Sequence, residues 1–212
     1  MERGSWSMNT LEINIKNKIK SWDDLYKAAN KQFLEYEKLE GIDWKKYDFS
    51  IDCAEDQMRF KDMLQIRCIE ELTEATQALS DFEGEHFLEE VTDALNFFLS
   101  SYCMLGVNFK EFSDPQLILE DNKRDEPIEY DDCAYYFYLI IQDIGNLCNL
   151  LKNRPWAQSN YLVSMIDFNE RLHSLWDTFW NVIWWLGLTP EGVFELFERK
   201  YEVNKWRIKT GY

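Results

Sequence analysis

The sequence has few of the residues from which several common kinds of site are built. It contains only two histidines in 212 residues, and its five cysteines are widely spaced and form no C-x-x-C pair. A zinc site and a disulfide framework are therefore not expected. We predict instead that the cysteines are buried free thiols in a reducing compartment.

Positive charge is also scarce, because 23 lysines and arginines face 39 aspartates and glutamates, for a net charge of −16. Such a chain is not expected to coat a nucleic acid backbone, although a local basic cluster can still bind a small phosphorylated ligand. The longest apolar runs, such as 135–141, are far shorter than a membrane span, and no signal-peptide pattern opens the chain. The sequence therefore predicts a soluble, cytoplasmic protein with neither nucleic acid nor membrane as a partner.

No segment shows a persuasive alternation of β-strand type, whereas helical periodicity recurs along the chain. The predicted fold class is all-α, with residues 1–20 as a flexible N-terminus and 21–212 as a single helical domain. Ser21 and the pair Thr189-Pro190 have the residue types that begin helices. A tryptophan-rich helix at roughly 160–186 is interpreted as either protein core or a dimer interface.

Two predicted helices, about 55–80 and 85–105, carry acidic residues beside their apolar stripes. The acids of the first helix are Glu70, Glu71 and Glu74, and those of the second are Glu89, Glu90 and Asp93. At 100° per residue, Glu71 and Glu74 share one side of the first helix with apolar residues, and Glu90 and Asp93 do the same on the second. Unpaired carboxylates there are costly, so we expect a compensating cation. An all-oxygen ligand set favours Mg²⁺, with Mn²⁺ as a substitute, while the alternative is a merely solvated acidic face.

The C-terminal segment holds the densest basic stretch of this acidic chain. Lys200, Asn204 and Arg207 are spaced i, i+4 and i+7, which places them along one helical face. The compact ammonium group of a lysine and the planar guanidinium group of an arginine together suit a polyphosphate. The alternative is that these cations only complement the helix dipole.

The acidic and basic motifs together resemble a known family. The pattern Glu70-Glu71-x-x-Glu74 followed by Glu90-x-x-Asp93 is similar to the EExxE…ExxD signature of the all-α nucleoside triphosphate pyrophosphatases, which include MazG-like proteins, dCTP pyrophosphatases and dimeric dUTPases. The resemblance covers about 55–106 and 180–212, so 107–179 is either a helical insertion or a strongly diverged segment.

The C-terminal segment most resembles the branch of dimeric dUTPases and phage dCTPase-dUTPases, whose chains end in a pattern like KNxxNxxRQxxGY. The matching positions are Lys200, Asn204, Arg207, Gly211 and Tyr212. Tyr201 and Ile208 replace the usual Asn and Gln, and Asn96 stands where this branch usually has His.

This resemblance implies a homodimeric helical bundle that hydrolyses dUTP, dCTP or both to the monophosphate and pyrophosphate with Mg²⁺. The implied metal ligands are Glu71, Glu74, Glu90 and Asp93. The implied phosphate-binding residues are Lys200, Asn204, Arg207 and Tyr212. Glu70 or Glu71 would orient or deprotonate the attacking water. We further predict that Asn96 shapes the nucleoside end of the pocket, because it follows Asp93 by one helical turn.

Two other classes of function stay open. One is a MazG-like housecleaning pyrophosphatase that acts on purine or modified nucleotides. The other is a non-catalytic helical protein that binds a nucleotide or a protein partner. For Asn96, the alternative is that its amide only hydrogen-bonds a neighbouring helix.

Overall fold

The computed structural model describes residues 18–42, 54–121, 130–151 and 164–211. All regular structure in those ranges is helical, which confirms the predicted all-α class. The helices are α1 Trp22–Leu39, α2 Ala54–Lys61, α3 Ile69–Ser80, α4 Gly84–Met104, α5 Pro115–Asp121, α6 Tyr130–Leu150, α7 Met165–Trp185 and α8 Pro190–Thr210. A π-helical segment, Asp62–Cys68, joins α2 to α3. None of the described helices is long and apolar enough to cross a membrane.

The N-terminal caps of α1 and α8 follow the signals in the sequence. The Ser21 hydroxyl accepts a hydrogen bond from the backbone N–H of Asp24 at 3.2 Å. The Thr189 hydroxyl accepts one from the backbone N–H of Gly192, also at 3.2 Å. Each hydroxyl therefore pairs with a backbone donor that the first helical turn leaves without an intrahelical partner.

Helix α8 is continuous from Pro190 to Thr210, because no helix-breaking residue interrupts it after Pro190. It ends at Gly211, whose φ of 67° is the left-handed conformation that glycine adopts readily after a helix. Lys200 and Arg207 consequently lie on one uninterrupted helix.

The π-helical segment between α2 and α3 changes which residues share a face. In an α-helix, residues four apart advance by about 40°, so Glu71 would lie about 120° around the axis from Arg59. The wider turns of Asp62–Cys68 remove much of this drift. As a result Arg59, Met63, Arg67 and Glu71 all line the same cavity.

Helix α4 is the central element of the fold. It packs against α1, α3, the π-helical segment and α8. Its buried residues therefore include polar ones, among them Glu90, Thr92 and Asn96. Because other helices surround α4, its polar side chains face neighbouring elements, which is what brings them into a candidate site.

The tryptophans of α7 form much of the aromatic core. Trp176 and Trp180 are fully buried within the chain. Phe179 stacks on Phe98 of α4, with ring centroids 4.0 Å apart, and the Trp176 indole N–H donates to the carbonyl of Ser113 at 2.9 Å. Of the two interpretations of the tryptophan-rich helix, core is therefore the one that applies to Trp176 and Trp180. Most of α7 lies in the segment interpreted as an insertion.

A buried carboxylate on α8 anchors the start of the described chain. Glu198 is only 2% exposed, and it accepts hydrogen bonds from the backbone N–H of Lys18 at 3.0 and 2.9 Å and of Ile19 at 3.2 Å. The prediction of a flexible N-terminus falls mainly on residues 1–17, which lie outside the described residues. Lys18 and Ile19, also included in it, are held against α8.

We expect Glu198→Gln to lower the free energy of unfolding by about 1–3 kcal/mol, because an amide offers one neutral acceptor oxygen where the carboxylate offers two charged ones. Chemical denaturation would measure the change. Glu202→Gln is the matched control, since Glu202 pairs with the exposed Lys18 ammonium at 3.0 Å. A loss as large in Glu202→Gln as in Glu198→Gln would contradict the anchoring role of Glu198.

Candidate functional site

Helix α2, the π-helical segment and α3 follow one another without a break and are called the α2–α3 unit below. A cavity of about 570 Å³ opens between this unit, α1, α4 and α8. Its volume is within the range typical of small-molecule sites. Several of the residues predicted from the sequence line it together: Glu71, Asp93, Asn96, Lys200, Asn204 and Arg207. Residues far apart in sequence, from α3, α4 and α8, therefore meet in one space.

Three carboxylates form a cluster at this cavity. One oxygen of each of Glu71, Glu90 and Asp93 lies within 4.8 Å of the others. Glu70 and Glu74, by contrast, are exposed and belong neither to the cluster nor to the cavity lining. The geometry of α3 explains the difference for Glu74, which lies about 100° around the helix from the buried Ala75 whereas Glu71 lies about 40° from it.

Burial is the main cause that raises the pKa of two acids in this cluster, Glu71 and Asp93. Burial, a hydrogen bond with Glu90 and the charge of Asp93 raise the pKa of Glu71 to about 8. Burial also raises the pKa of Asp93, but the hydrogen bond from Lys200 opposes that effect. Because the surroundings of Glu71 disfavour its ionised form, a cation bound beside the carboxylate would stabilise that form.

We expect the metal-free protein to lose stability as pH rises from about 4.5 to about 8. Over this range the folded protein keeps the Glu71 proton, whereas the unfolded chain releases it, so raising the pH favours unfolding. Melting temperatures in a chelating buffer would show the decline. Glu71→Gln should flatten it, and an unchanged slope in that variant would assign the decline to other groups.

Glu90 has a further partner on its own helix. The His86 ring nitrogen Nε2 lies 2.7 Å from Glu90 Oε1, and the ring nitrogen Nδ1 lies 3.1 Å from Glu83 Oε2. The hydrogen bond with Glu83 and the charge of Glu90 raise the pKa of His86. An exposed histidine thus joins the edge of the carboxylate cluster, which the sequence pattern did not indicate.

The predicted phosphate-binding residues lie along α8. Lys200 Nζ donates a hydrogen bond to Asp93 Oδ2, so this row begins at the carboxylate cluster. Asn204, the middle residue of the row, is buried, and Arg207 at its far end is exposed. Lys200 and Arg207 are separated by about 10 Å along the helix axis. The remaining residue of the prediction, Tyr212, lies outside the described residues.

Two amide side chains meet on the wall between α1 and α4. Asn96 Oδ1 accepts a hydrogen bond from Gln32 Nε2 at 3.3 Å, and Asn96 Nδ2 donates to the carbonyl of Thr92 at 3.1 Å. The Asn96 amide thus bonds a neighbouring helix, as the alternative interpretation has it, and also lines the cavity. Gln32 is 5% exposed, and its Oε1 is buried with no hydrogen-bond partner among the described residues.

A buried acceptor without a partner is costly, so a water molecule or a ligand donor in the cavity would stabilise Gln32 Oε1. The sequence analysis did not identify Gln32, although a signal was available. On a helical projection Gln32 and Tyr36 fall on the apolar stripe of α1 with Leu25 and Ala29. The same test that selected Glu71 and Asp93, a polar residue on an apolar stripe, would have found them.

Two arginines of the α2–α3 unit also line the cavity. The Arg59 guanidinium forms a salt bridge with Glu37 Oε1 of α1 at 2.8 Å, and Arg67 Nε forms one with Asp62 Oδ2 at 3.0 Å. The Arg67 guanidinium also lies over the Phe97 ring, 5.8 Å from its centroid. Positive charge therefore reaches the cavity from α2–α3 as well as from α8.

The carboxylate cluster fits a divalent cation. Its donors are all hard oxygens, which Mg²⁺ and Mn²⁺ prefer, and Glu71, Glu90 and Asp93 come close enough to share one ion. The raised pKa of Glu71 is the electrostatic strain that such an ion would relieve. Gln32, whose buried Oε1 has no hydrogen-bond partner among the described residues, lines the same cavity, so a water molecule or a ligand donor there would satisfy it.

No model of a protein family, no curated protein and no solved structure matches this chain.

Proposed function

We propose that this protein is a Mg²⁺-dependent nucleoside triphosphate pyrophosphatase of the all-α type. It hydrolyses a pyrimidine deoxynucleoside triphosphate, dUTP or dCTP or both, to the monophosphate and pyrophosphate. One observation carries the proposal: Glu71 and Asp93, two members of the three-carboxylate cluster, line the same cavity as a row of potential phosphate donors on α8, and the row begins at Asp93. A polyphosphate needs both, because its charge is neutralised by metal on one side and by cations on the other.

In this proposal Glu71, Glu90 and Asp93 would hold Mg²⁺. The ion would supply charge neutralisation and would make water a better nucleophile. Lys200, Asn204 and Arg207 donate to phosphate oxygens and orient the triphosphate. Of the two carboxylates predicted to act on the attacking water, we favour Glu71 over the exposed Glu70, because Glu71 lines the cavity and Glu70 does not.

The observed Lys200–Asp93 pair favours one alternative, a protein that binds nucleotides without hydrolysing them. The Lys200 ammonium already compensates the charge of Asp93. If Lys200 compensates the carboxylates in place of a metal ion, the protein would bind the nucleotide through the donors of α8 alone. This alternative predicts nucleotide binding that is indifferent to divalent cations.

A panel of the common dNTPs and NTPs, assayed for pyrophosphate release with Mg²⁺ and with a chelator, tests the proposal. We expect release from dUTP or dCTP with Mg²⁺ and none with the chelator. Preferred turnover of purine or modified nucleotides would instead assign the MazG-like housecleaning role. Nucleotide binding without release in any condition would assign the non-catalytic role.

We expect Gln32→Leu to lower kcat/KM for the preferred pyrimidine by about tenfold to a hundredfold, since a lost hydrogen bond to a buried base costs about 1–3 kcal/mol. Leucine fills similar space but cannot accept the base N–H or amino group, and it also leaves Asn96 without its partner on α1. The assay compares pyrimidine with purine substrates. An equal loss for every base would mean that the Gln32–Asn96 pair supports helix packing and does not recognise the base.

A further inference from the structure

We propose that the Lys200 ammonium is an internal counter-ion of Asp93. A divalent cation binds tightly at the carboxylate cluster only after it displaces Lys200 from Asp93. Binding of the cation and binding of a polyphosphate are thereby coupled through one side chain. The inference rests on the proposed function, because it concerns the same carboxylates and the same row of donors.

The ion pair between Lys200 and Asp93 is substantially buried. Lys200 Nζ donates directly to Asp93 Oδ2, and the two side chains are 19% and 17% exposed. An ion pair in such surroundings is screened less by water and salt than a surface pair. Asp93 therefore has a strong partner in the absence of any ligand.

A divalent cation at the carboxylate cluster would compete with this partner. One oxygen each of Asp93, Glu71 and Glu90 lies within 4.8 Å of the others, so an ion shared by the three would lie close to the Lys200 ammonium, which bonds Asp93. Like charges at that separation repel strongly where the dielectric constant is low. The cation consequently binds weakly while Lys200 stays on Asp93.

A polyphosphate gives Lys200 another partner. The lysine ammonium has three donors on a flexible four-carbon stem, so it can leave Asp93 for an anionic oxygen without a change in the backbone. Asn204 and Arg207 lie on the same side of α8 and line the same cavity, where that oxygen would be held. Since coupling between two ligands is reciprocal, the polyphosphate raises the affinity for the cation and the cation raises the affinity for the polyphosphate.

Titration of nucleotide-free protein with Mn²⁺, followed by electron paramagnetic resonance of the free ion, tests the displacement. Lys200→Gln removes the competing ammonium, and Arg207→Gln is the matched control. Arg207 also lowers the pKa of Asp93 through its charge, and no hydrogen bond between the two is observed. We expect Lys200→Gln to bind Mn²⁺ about tenfold more tightly than the wild type, and Arg207→Gln to gain about twofold or less.

Equal Mn²⁺ affinity in the wild type and Lys200→Gln, or the same gain in both variants, would overturn the inference and leave the proposed function standing. An absence of Mn²⁺ binding in all three proteins would overturn both. The thermal melt of each variant verifies that it is folded.

The reciprocal measurement does not depend on Lys200→Gln being folded. In a chelating buffer, Asp93→Asn should bind inorganic tripolyphosphate about tenfold more tightly than the wild type, because its Lys200 has lost its charged partner. Glu90→Gln removes the same charge from the cluster, and Glu90 pairs with His86 at 2.7 Å. A gain in Asp93→Asn no larger than that in Glu90→Gln would overturn the coupling through Lys200.

Discussion

Glu71→Gln should lower kcat for pyrophosphate release by about a hundredfold to a thousandfold, the loss expected when one electrostatic contact to a reacting centre is removed. Glu71 faces the cavity beside Glu90 and Asp93, so the substitution takes a charge and a ligand from the proposed metal site. Glutamine has the same shape, and Glu71 is only partly buried, so the fold should persist. Steady-state kinetics with dUTP and dCTP at saturating Mg²⁺ would measure the loss.

Glu89→Gln provides the matched control, because it makes the same chemical change at an exposed position on α4. Its kcat should stay within about twofold of the wild type, as is usual for a surface substitution outside a site. Glu70→Gln distinguishes between Glu70 and Glu71, the two residues predicted to act on the attacking water. We expect Glu71→Gln to lower kcat more than Glu70→Gln does. Full activity in Glu71→Gln would contradict the assignment of the carboxylate cluster.

Trp176→Ala should lower the free energy of unfolding by about 3–5 kcal/mol, which is the usual effect of removing a fully buried large aromatic side chain. Trp176 packs against aromatic rings from α4 and α7, including Phe98 and Trp180 at 5.7 and 5.8 Å between ring centroids. The substitution also leaves the carbonyl of Ser113 without the indole donor. Chemical denaturation followed by far-ultraviolet circular dichroism would measure the change.

Trp206→Ala is the corresponding control, since Trp206 is 57% exposed on α8. We expect it to change the free energy of unfolding by about 0.5 kcal/mol or less. Both measurements should be repeated at several protein concentrations. If the loss in Trp176→Ala disappeared on dilution, the residue would act in an interface between subunits and not in the core of one chain.

The parts of the site that the sequence could predict depend on local helical geometry. An acid beside the apolar stripe of a helix tends to face another element, and this rule selected Glu71 and Asp93, which line the cavity. The i, i+4, i+7 spacing likewise placed Lys200 and Arg207 on one side of α8. The capping residues of α1 and α8 were predictable for the same reason, because a cap is set within one turn.

Other features depend on packing between helices, which periodicity does not specify. Glu71 and Glu74 lie on the same side of the apolar stripe of α3, and the pattern could not tell how far around that side the neighbouring helices extend, so it grouped the exposed Glu74 with Glu71. The π-helical segment, which aligns Arg59 and Arg67 with Glu71, has no sequence signal of its own. The pairing of Lys200 with Asp93 joins residues of α8 and α4, and it arises only when those helices pack.

The central claim is that the cavity hydrolyses a triphosphate between its α- and β-phosphates. Phosphorus-31 nuclear magnetic resonance of dUTP and of dCTP, incubated with the protein and Mg²⁺, tests this claim most directly because it identifies the bond that breaks. We predict equal growth of the pyrophosphate and nucleoside monophosphate signals from at least one of the two substrates, and no reaction with Glu71→Gln. Orthophosphate and a nucleoside diphosphate as the products, or both triphosphates left intact, would contradict the account.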